Sequence, residues 1–167
     1  KPYFGTNPIC FAAPRGNYEP FCLDMAPTKF SWNKLQSFKE HKKKLPEDVA
    51  ATSNGKITRD PTLATSLLPI GDYKGFGLAA MGEVLCGILT GMQFGTSIPK
   101  MFDSPIETPR RLGQCYFLIK SDVCVSSNEF ERNMIKMTNE VRSQERKDNQ
   151  MVQMPNDPEI KEMEIRS

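Results

Sequence analysis

The sequence has little of what several common classes of site require. It contains one histidine, His41, and no pair of cysteines in a Cys-x-x-Cys arrangement, so we expect no zinc site of the His/Cys kind. Its net charge of +2 is too small to indicate a nucleic acid or a membrane surface as a partner. The apolar stretch at residues 77–92 is too short and too rich in glycine to cross a bilayer. We therefore predict no metal, nucleic-acid or membrane partner.

Cysteine usage indicates the compartment. The five cysteines are odd in number, and four of them lie inside apolar runs, where a free thiol behaves as a small hydrophobic side chain. This pattern argues against a disulfide framework and predicts a cytoplasmic protein. No signal peptide is recognisable, and the chain begins with Lys-Pro-Tyr-Phe rather than methionine, which leads us to expect a fragment of a longer protein.

The pattern of apolar residues predicts a mixed α/β fold. Residues 9–13 and 21–25 are short apolar runs that predict neighbouring strands, and residues 115–119 predict a buried strand. The stretch 28–44 predicts a helix that Pro46 ends. Because strands and helices do not alternate regularly, the fold should not be a doubly wound Rossmann sheet.

The C-terminal part predicts a helix and a closing turn. Ser126 and Glu129 form a capping box that opens a helix to about residue 146. Residues 151–154 then predict a last strand, followed by the turn Pro-Asn-Asp-Pro at 155–158. We predict a cofactor-binding domain with residues 1–125 as its core, closed by residues 126–167.

A glycine-rich bend at residues 69–77 is the most informative local feature. It contains Lys74 and runs into an apolar helix over residues 78–91, which should be central because it is apolar almost all round. Such a bend offers free backbone N–H groups and a positive dipole end to a phosphate or carboxylate. Glycines before a packed helix also serve close packing, and the spacing alone does not distinguish the two interpretations.

Two carboxylates have structural and functional interpretations. Asp24 ends an apolar strand just before the expected helix start at Thr28, so it either accepts a bond from a ribose hydroxyl or caps a turn. Glu83 lies within the apolar helix. It pairs with Lys74 or another cation, or belongs to a structural ion pair, and a catalytic acid is a weaker interpretation.

Two further polar groups are ambiguous. His41 lies in the basic run at residues 39–44, which is most simply a solvated helix end, although such a run also suits a 2′-phosphate. Asn156 and Asp157 lie between two prolines. The simpler interpretation of these two residues is a turn, and a contact to a ligand is the alternative.

Four motifs in order resemble one family. They are Gly-Thr-Asn-Pro at 5–8, Leu-Asp-Met-Ala at 23–26, Pro-Ile-Gly-Asp-Tyr-Lys-Gly-Phe-Gly-Leu at 69–78 and Pro-Asn-Asp-Pro-Glu at 155–159. Together they are similar to the malate/L-lactate dehydrogenase family of the non-Rossmann type. The set spans nearly the whole chain in register, which makes it far more specific than any one motif.

The resemblance implies an NAD- or NADP-dependent oxidoreductase that interconverts 2-hydroxy and 2-oxo acids, most simply malate or L-lactate, as a homodimer. It implies hydride transfer, with a histidine that moves the proton. It also implies cofactor contacts from seven residues, namely Asp24, Met25, Ala26, Thr28, Lys74, Asn156 and Asp157. Pro27 stands where the family usually has threonine, and the family's active-site histidines lie upstream of the first motif, so we name no catalytic residue.

Two other functions remain open. In the first, the chain is a catalytically incompetent, truncated homologue that acts as a binding or dimerisation module. In the second, it is a phosphate-binding protein unrelated to redox chemistry. The second requires the register of the four motifs to be accidental.

Overall fold

The computed structural model describes residues 3–100, 104–144 and 152–166. In chain order, the elements are β1 (Ile9–Arg15), β2 (Tyr18–Met25), α1 (Trp32–Glu40), β3 (Ala50–Ala51), β4 (Ser66–Leu67), α2 (Tyr73–Glu83), α3 (Ser127–Arg142) and α4 (Asp157–Arg166). The predicted mixed α/β class is confirmed. The chain divides into two compact units, the first with residues 1–9 and 25–116 and the second with residues 10–24 and 117–167.

The core of the first unit forms around α1. Leu35, Leu45, Val49 and Ala50 are buried together, with partly buried aromatic side chains packed against them. Strands β3 and β4 pair antiparallel beside this core, with Ala50 opposite Leu67. Burial of these apolar side chains is the main stabilising term here.

Helix α1 begins later than the sequence predicts. Its N-cap is Ser31, whose Oγ accepts a hydrogen bond from the Lys34 N–H at 3.2 Å. Thr28, the predicted start, instead forms an isolated antiparallel bridge with Pro69. A serine oxygen satisfies the free N–H groups of a first turn well, and Thr28 pairs in an extended conformation, so the helix starts four residues further on, at Trp32.

Helix α2 is followed directly by a π-helical turn at Val84–Ile88. Its buried positions are Gly75, Ala79 and Glu83, which recur every four residues and form one stripe. Phe76 and Val84 are at least half exposed. The prediction of a central helix is therefore wrong: the small side chains allow close packing along one stripe, and much of the remaining surface is open.

The second unit contains a hairpin and two helices. Strands β1 and β2 pair through a two-residue turn at Gly16 and Asn17. Helix α3 begins as predicted, with the Ser126 Oγ accepting from the Glu129 N–H at 3.2 Å. The sequence does not predict helix α4, because the two prolines at residues 155–158 indicate a turn.

The predicted strand at residues 115–119 is wrong. The segment has no regular secondary structure, and Tyr116 and Leu118 are 75% and 94% exposed. A strand needs a hydrogen-bonded neighbour, and no part of the described chain pairs with this segment. Residues 152–154 also form no strand, while Met151, the first residue of that prediction, lies outside the described ranges.

All five cysteines are free thiols. Within the described helices, none has the length and apolar character needed to cross a membrane.

Candidate functional site

The first unit brings the segment after β2 against the glycine bend. The Ile70 N–H donates to the Pro27 carbonyl at 3.1 Å, and the Lys29 N–H donates to the Leu68 carbonyl at 2.8 Å. Pro27 is fully buried between them. Residues 25–28 and the bend before α2 are therefore neighbours, although more than forty residues separate them in sequence. Three of the predicted cofactor residues, Met25, Ala26 and Thr28, lie beside the bend that carries the fourth, Lys74.

The geometry of the bend depends on glycine. Gly71 and Asp72 both have positive φ angles, of 53° and 52°. A Cβ atom added at Gly75 would lie 2.2 Å from the Ile70 carbonyl oxygen, so no other residue fits there without movement of the backbone. The N–H groups of Lys74, Gly75 and Phe76 donate to carbonyl oxygens of the bend itself. The expected row of free N–H groups is therefore largely occupied.

Lys74 supplies the charge at this bend. Its side chain is exposed in the first turn of α2, and no ion-pair partner for it occurs in the part of the chain described. A cation in a first turn opposes the helix dipole. The neighbouring Asp72 carboxylate is instead directed to Lys29, with 3.7 Å between Oδ1 and Nζ. The bend thus presents a positive group that costs helix stability and is available to an anion.

A buried carboxylate connects the first sequence motif to α2. Glu83 is 7% exposed, and its Oε2 accepts from the Asn7 Nδ2 at 2.7 Å. The same amide donates to the Ala79 carbonyl at 2.9 Å, and the Gly95 N–H donates to the other Glu83 oxygen. The expected pairing of Glu83 with Lys74 is wrong, because neutral donors satisfy the carboxylate. Asn7 therefore fixes the motif to the helix, which sequence reasoning missed.

In the second unit, the closing turn contacts β2. Asn156 has a φ of 83°, and its Nδ2 donates to the Pro20 carbonyl at 3.4 Å. Asp24 lies four residues further along β2, where its side chain is exposed. The turn and the strand end are thus parts of the same unit.

Asp157 is largely occupied by structural contacts. Its Oδ1 accepts from an Arg142 terminal nitrogen at 2.5 Å, and its Oδ2 accepts from the Met154 N–H at 2.8 Å. Partial burial alone raises the pKa of this carboxyl. The bonds from Arg142 and Met154, with the charges of Arg142 and Arg15, outweigh burial and hold the pKa below its ordinary value. The turn interpretation of this motif is supported.

Arg15 was also missed. Its side chain is 9% exposed, its guanidinium lies 5.6 Å from the centre of the Tyr18 ring, and its Nε has no hydrogen-bond partner among the described residues. The alternation of β1 could have found it, because Ala13 and Arg15 lie on the same buried face.

The basic run ends α1. The His41 Nδ1 lies 2.7 Å from the Ser37 carbonyl oxygen, and the ring is exposed at the C-cap, as the interpretation of a solvated helix end requires. Beside it is a hollow of about 390 Å³ that is lined mainly by cations, namely Lys39, Lys42, Lys43, Lys44 and Arg59. Arg59 is paired there with Glu47 at 3.0 Å. No group of three or more potential metal ligands occurs in the described ranges.

Comparison with known proteins identifies relatives. The family model for malate/L-lactate dehydrogenase matches residues 1–167. Ureidoglycolate dehydrogenase (NAD(+)) of Escherichia coli is 35% identical over 84% of this chain and 40% of its own length. The (2R)-3-sulfolactate dehydrogenase (NADP(+)) of Chromohalobacter salexigens is 38% identical over 65% of this chain and 33% of its own.

The fold is also found among solved structures. Sulfolactate dehydrogenase from Methanocaldococcus jannaschii superimposes with a TM-score of 0.85 and 30% identity, over 98% of this chain and 47% of that protein. The chain therefore spans less than half the length of these relatives.

Proposed function

Since this chain belongs to the malate/L-lactate dehydrogenase family, we propose that it carries part of the cofactor site of an NAD- or NADP-dependent oxidoreductase. The proposed reaction is hydride transfer between the nicotinamide and a 2-hydroxy or 2-oxo acid. When bound, the cofactor supplies the hydride donor or acceptor.

One observation carries this proposal: the segment after β2 and the bend before α2 are hydrogen-bonded neighbours in the first unit. Two motifs of the family are thereby joined around an exposed lysine. A dinucleotide carries a pyrophosphate, and a lysine that opposes its own helix dipole fits such an anion.

Each residue of the first unit has a distinct proposed role. Lys74 holds a phosphate of the cofactor by its ammonium group. Met25, the last residue of β2, and Ala26 form a half-buried wall there. The Thr28 hydroxyl donates to the Phe30 carbonyl at 2.8 Å, which leaves its oxygen lone pairs to accept from the ligand.

In the second unit, we propose Asp24 as an acceptor for a ribose hydroxyl. Asn156 remains a proposed cofactor contact. For Asp157 we propose an indirect role, since its oxygens already hold Arg142 and Met154 and fix the turn. His41 receives no proton-transfer role, because its Nδ1 is engaged at the end of α1.

The test is Lys74→Ala in the protein that carries this chain, titrated with NADH and with NADPH by nicotinamide fluorescence. Loss of a charged hydrogen bond is worth about 1.5–3 kcal/mol. We expect a roughly 10- to 150-fold increase in the cofactor Kd, with the fold of the protein retained.

Lys56→Ala is the matched control, since Lys56 is an exposed lysine in a turn of the same unit. Its Kd should equal that of the wild type within twofold. An unchanged Kd in Lys74→Ala would remove Lys74 from the site. A preference for NADPH that disappears on charge reversal of Lys42 and Lys43 would place the 2′-phosphate in the basic hollow, and no such loss would leave the hollow as a solvated helix end.

For the substrate we propose malate or L-lactate, and for the working form a cytoplasmic homodimer. The family description supports the substrate class, although all three relatives above are named for ureidoglycolate or sulfolactate. Initial rates with malate, L-lactate, ureidoglycolate and sulfolactate, measured on the protein that carries this chain, decide between these four acids. Sedimentation of the same sample tests the dimer.

A non-catalytic binding or dimerisation module is the second candidate. It is favoured by the large apolar side chains at the surface, including Phe117, Leu118 and Ile119, of which each is more than 70% exposed. Cofactor binding without turnover of any of the four acids would support it.

A further inference from the structure

The basic hollow at the end of α1 concentrates positive charge in the first unit. It has a volume of about 390 Å³, and of the eight residues that line it, five are cations and one is a carboxylate. The cations are Lys39, Lys42, Lys43, Lys44 and Arg59. Within the described ranges, only Arg59 of these five has an ion-pair partner, Glu47 at 3.0 Å. The four lysines are exposed, so the hollow keeps an excess of positive charge.

The carboxylate of the hollow does not neutralise the lysines. Its residue is Asp60, whose Oδ1 accepts from the N–H and from the hydroxyl of Thr62, at 2.8 Å and 2.6 Å. These two bonds hold the carboxylate within its own turn. In the part of the chain that the structure describes, no ion pair joins Asp60 to a lysine, so the lysine charges remain available to an anion.

The two segments that line the hollow are fixed to the core of the first unit. Leu45 is fully buried there. Its N–H donates to the Arg59 carbonyl at 2.8 Å, and its own carbonyl accepts from the Arg59 Nε at 3.1 Å. The segment with the lysines and the segment with the guanidinium are therefore neighbours before any ligand binds. A site formed in advance avoids part of the ordering cost of binding.

Folding alone does not account for four lysines at this place. Lys42 has a φ of 51°, a conformation for which glycine is the usual residue after a helix. One cation near the end of α1 is favoured by the helix dipole, but further cations beside it repel one another. Residues that oppose local stability are expected mainly where they serve binding.

The basic hollow lies at the other end of α1 from the bend that carries Lys74. Lys29, which precedes α1, has its Nζ 3.7 Å from the Asp72 Oδ1 of the bend. Lys39 lies in the last turn of α1, and the other lysines of the hollow follow the helix. The nine residues of α1 span about 13 Å. The hollow is therefore separate from the cofactor contacts proposed at the bend.

We propose that the basic hollow binds a polyphosphate, which is a chain of three or more phosphate groups, at a site distinct from that of the cofactor. A ligand with several negative charges matches five cations around one cavity, whereas a small anion with one charge would leave most of them unpaired. Ammonium and guanidinium groups are common donors to phosphate oxygens. The comparison of NADH with NADPH tests only the 2′-phosphate of the cofactor, and a polyphosphate is a different ligand.

The experiment titrates the purified protein that carries this chain with sodium tripolyphosphate and with sodium orthophosphate, by isothermal titration calorimetry. The ionic strength is kept low, because salt screens exposed charges. We expect tripolyphosphate to bind at least tenfold more tightly than orthophosphate. The double variant Lys42→Gln with Lys43→Gln should raise the tripolyphosphate Kd roughly tenfold, since charged hydrogen bonds are lost.

The matched control is the double variant Lys34→Gln with Lys56→Gln. It removes the same charge from two exposed lysines of the first unit that do not line the hollow, and its Kd should stay within twofold of the wild type. Equal increases in the two double variants would overturn the proposal, because binding would then follow the overall charge of the protein. So would equal affinities for tripolyphosphate and orthophosphate, or no binding of tripolyphosphate.

Two further titrations separate this site from the cofactor and identify the source of the phosphate chain. Competition between tripolyphosphate and NADPH would overturn the proposal, because the hollow would then belong to the cofactor site. ATP that binds at least as tightly as tripolyphosphate supports a nucleoside triphosphate as the ligand, and weaker binding of ATP supports an inorganic chain. Lys74→Ala should leave the tripolyphosphate Kd unchanged, so the polyphosphate site and the proposed cofactor site fail or hold independently.

Discussion

The bend before α2 and the turn before α4 both place a charged side chain at the start of a helix, but they use it in opposite ways. Asp157 begins α4, where a carboxylate is favoured by the helix dipole, and Arg142 and the Met154 N–H bind its oxygens. Lys74 lies in the first turn of α2, where a cation is disfavoured, and it is exposed. The charge of Asp157 stabilises the helix that it begins, and the charge of Lys74 does not.

This difference separates a structural turn from the bend that we propose as a binding site. Local choices that disagree with local stability are expected mainly at functional sites. The closing turn is consistent with its surroundings at every contact that we describe. The bend uses glycine where its backbone needs it, at Gly71 and Gly75, but it is locally unfavourable at Asp72, which has a φ of 52°, and at its lysine. We therefore propose that function, and not folding, explains the lysine at this position.

The largest expected effect tests the backbone of the bend. In Gly75→Ala the new Cβ would lie 2.2 Å from the Ile70 carbonyl oxygen, so the bend must open, at a cost of about 3 kcal/mol of unfolding free energy. Gly77→Ala is the matched control, because a Cβ there meets nothing within 4 Å and alanine favours a helix. Urea denaturation measures both variants.

Gly77→Ala should leave the protein unchanged or up to about 1 kcal/mol more stable. Equal losses of stability in the two glycine variants would contradict the steric account of the bend.

Asp157→Asn tests the closing turn, with a smaller expected loss of about 1.5 kcal/mol, since a charged hydrogen bond is lost at a site only partly open to solvent. The folded-state pKa of Asp157 is lowered. Its contribution is therefore fully present above the unfolded-state pKa and disappears as the pH falls through the folded-state pKa. Unfolding free energies measured from neutral pH into the acid range should converge for variant and wild type.

Glu159→Gln is the control for that experiment. Glu159 lies in the same first turn of α4 but is exposed. Its carboxylate therefore interacts with the helix dipole as that of Asp157 does, but it makes no contact with Arg142. A loss in Glu159→Gln as large as that in Asp157→Asn would assign the effect to the helix dipole alone.

The sequence predicts the elements that rest on local signals. Ser126 and Glu129 open α3 as expected, because a capping box is complete within four residues. No local signal predicts that residues 25–28 pair with the bend, and the resemblance implies only that both segments contact the cofactor. Helix α4 has its own local signals, a proline at its second position and acids in its first turn, and these were outweighed by the two prolines that indicated a turn.

The features that the sequence does not predict depend on contacts between residues that lie far apart in the chain. The bond between Asn7 and Glu83 joins residues 76 positions apart, and no spacing rule connects an amide in a loop to a carboxylate in a helix. Residues 115–119 have the composition of a buried strand, but a strand also needs a neighbour, and composition carries no information on that. The need of a buried carboxylate for donors was predictable, while the identity of the donor was not.

The smallest expected effect sharpens the comparison at Asn156. This residue has a φ of 83° and makes one long side-chain bond to the Pro20 carbonyl, at 3.4 Å. If the turn is held mainly by its backbone conformation, Asn156→Gly should change the unfolding free energy by less than about 0.5 kcal/mol, and Asn156→Ala should lower it by about 1 kcal/mol, since a Cβ disfavours positive φ. Equal losses in both variants, measured by urea denaturation, would instead assign the stability to the side-chain bond, and the closing turn would then depend on its polar groups throughout, unlike the bend.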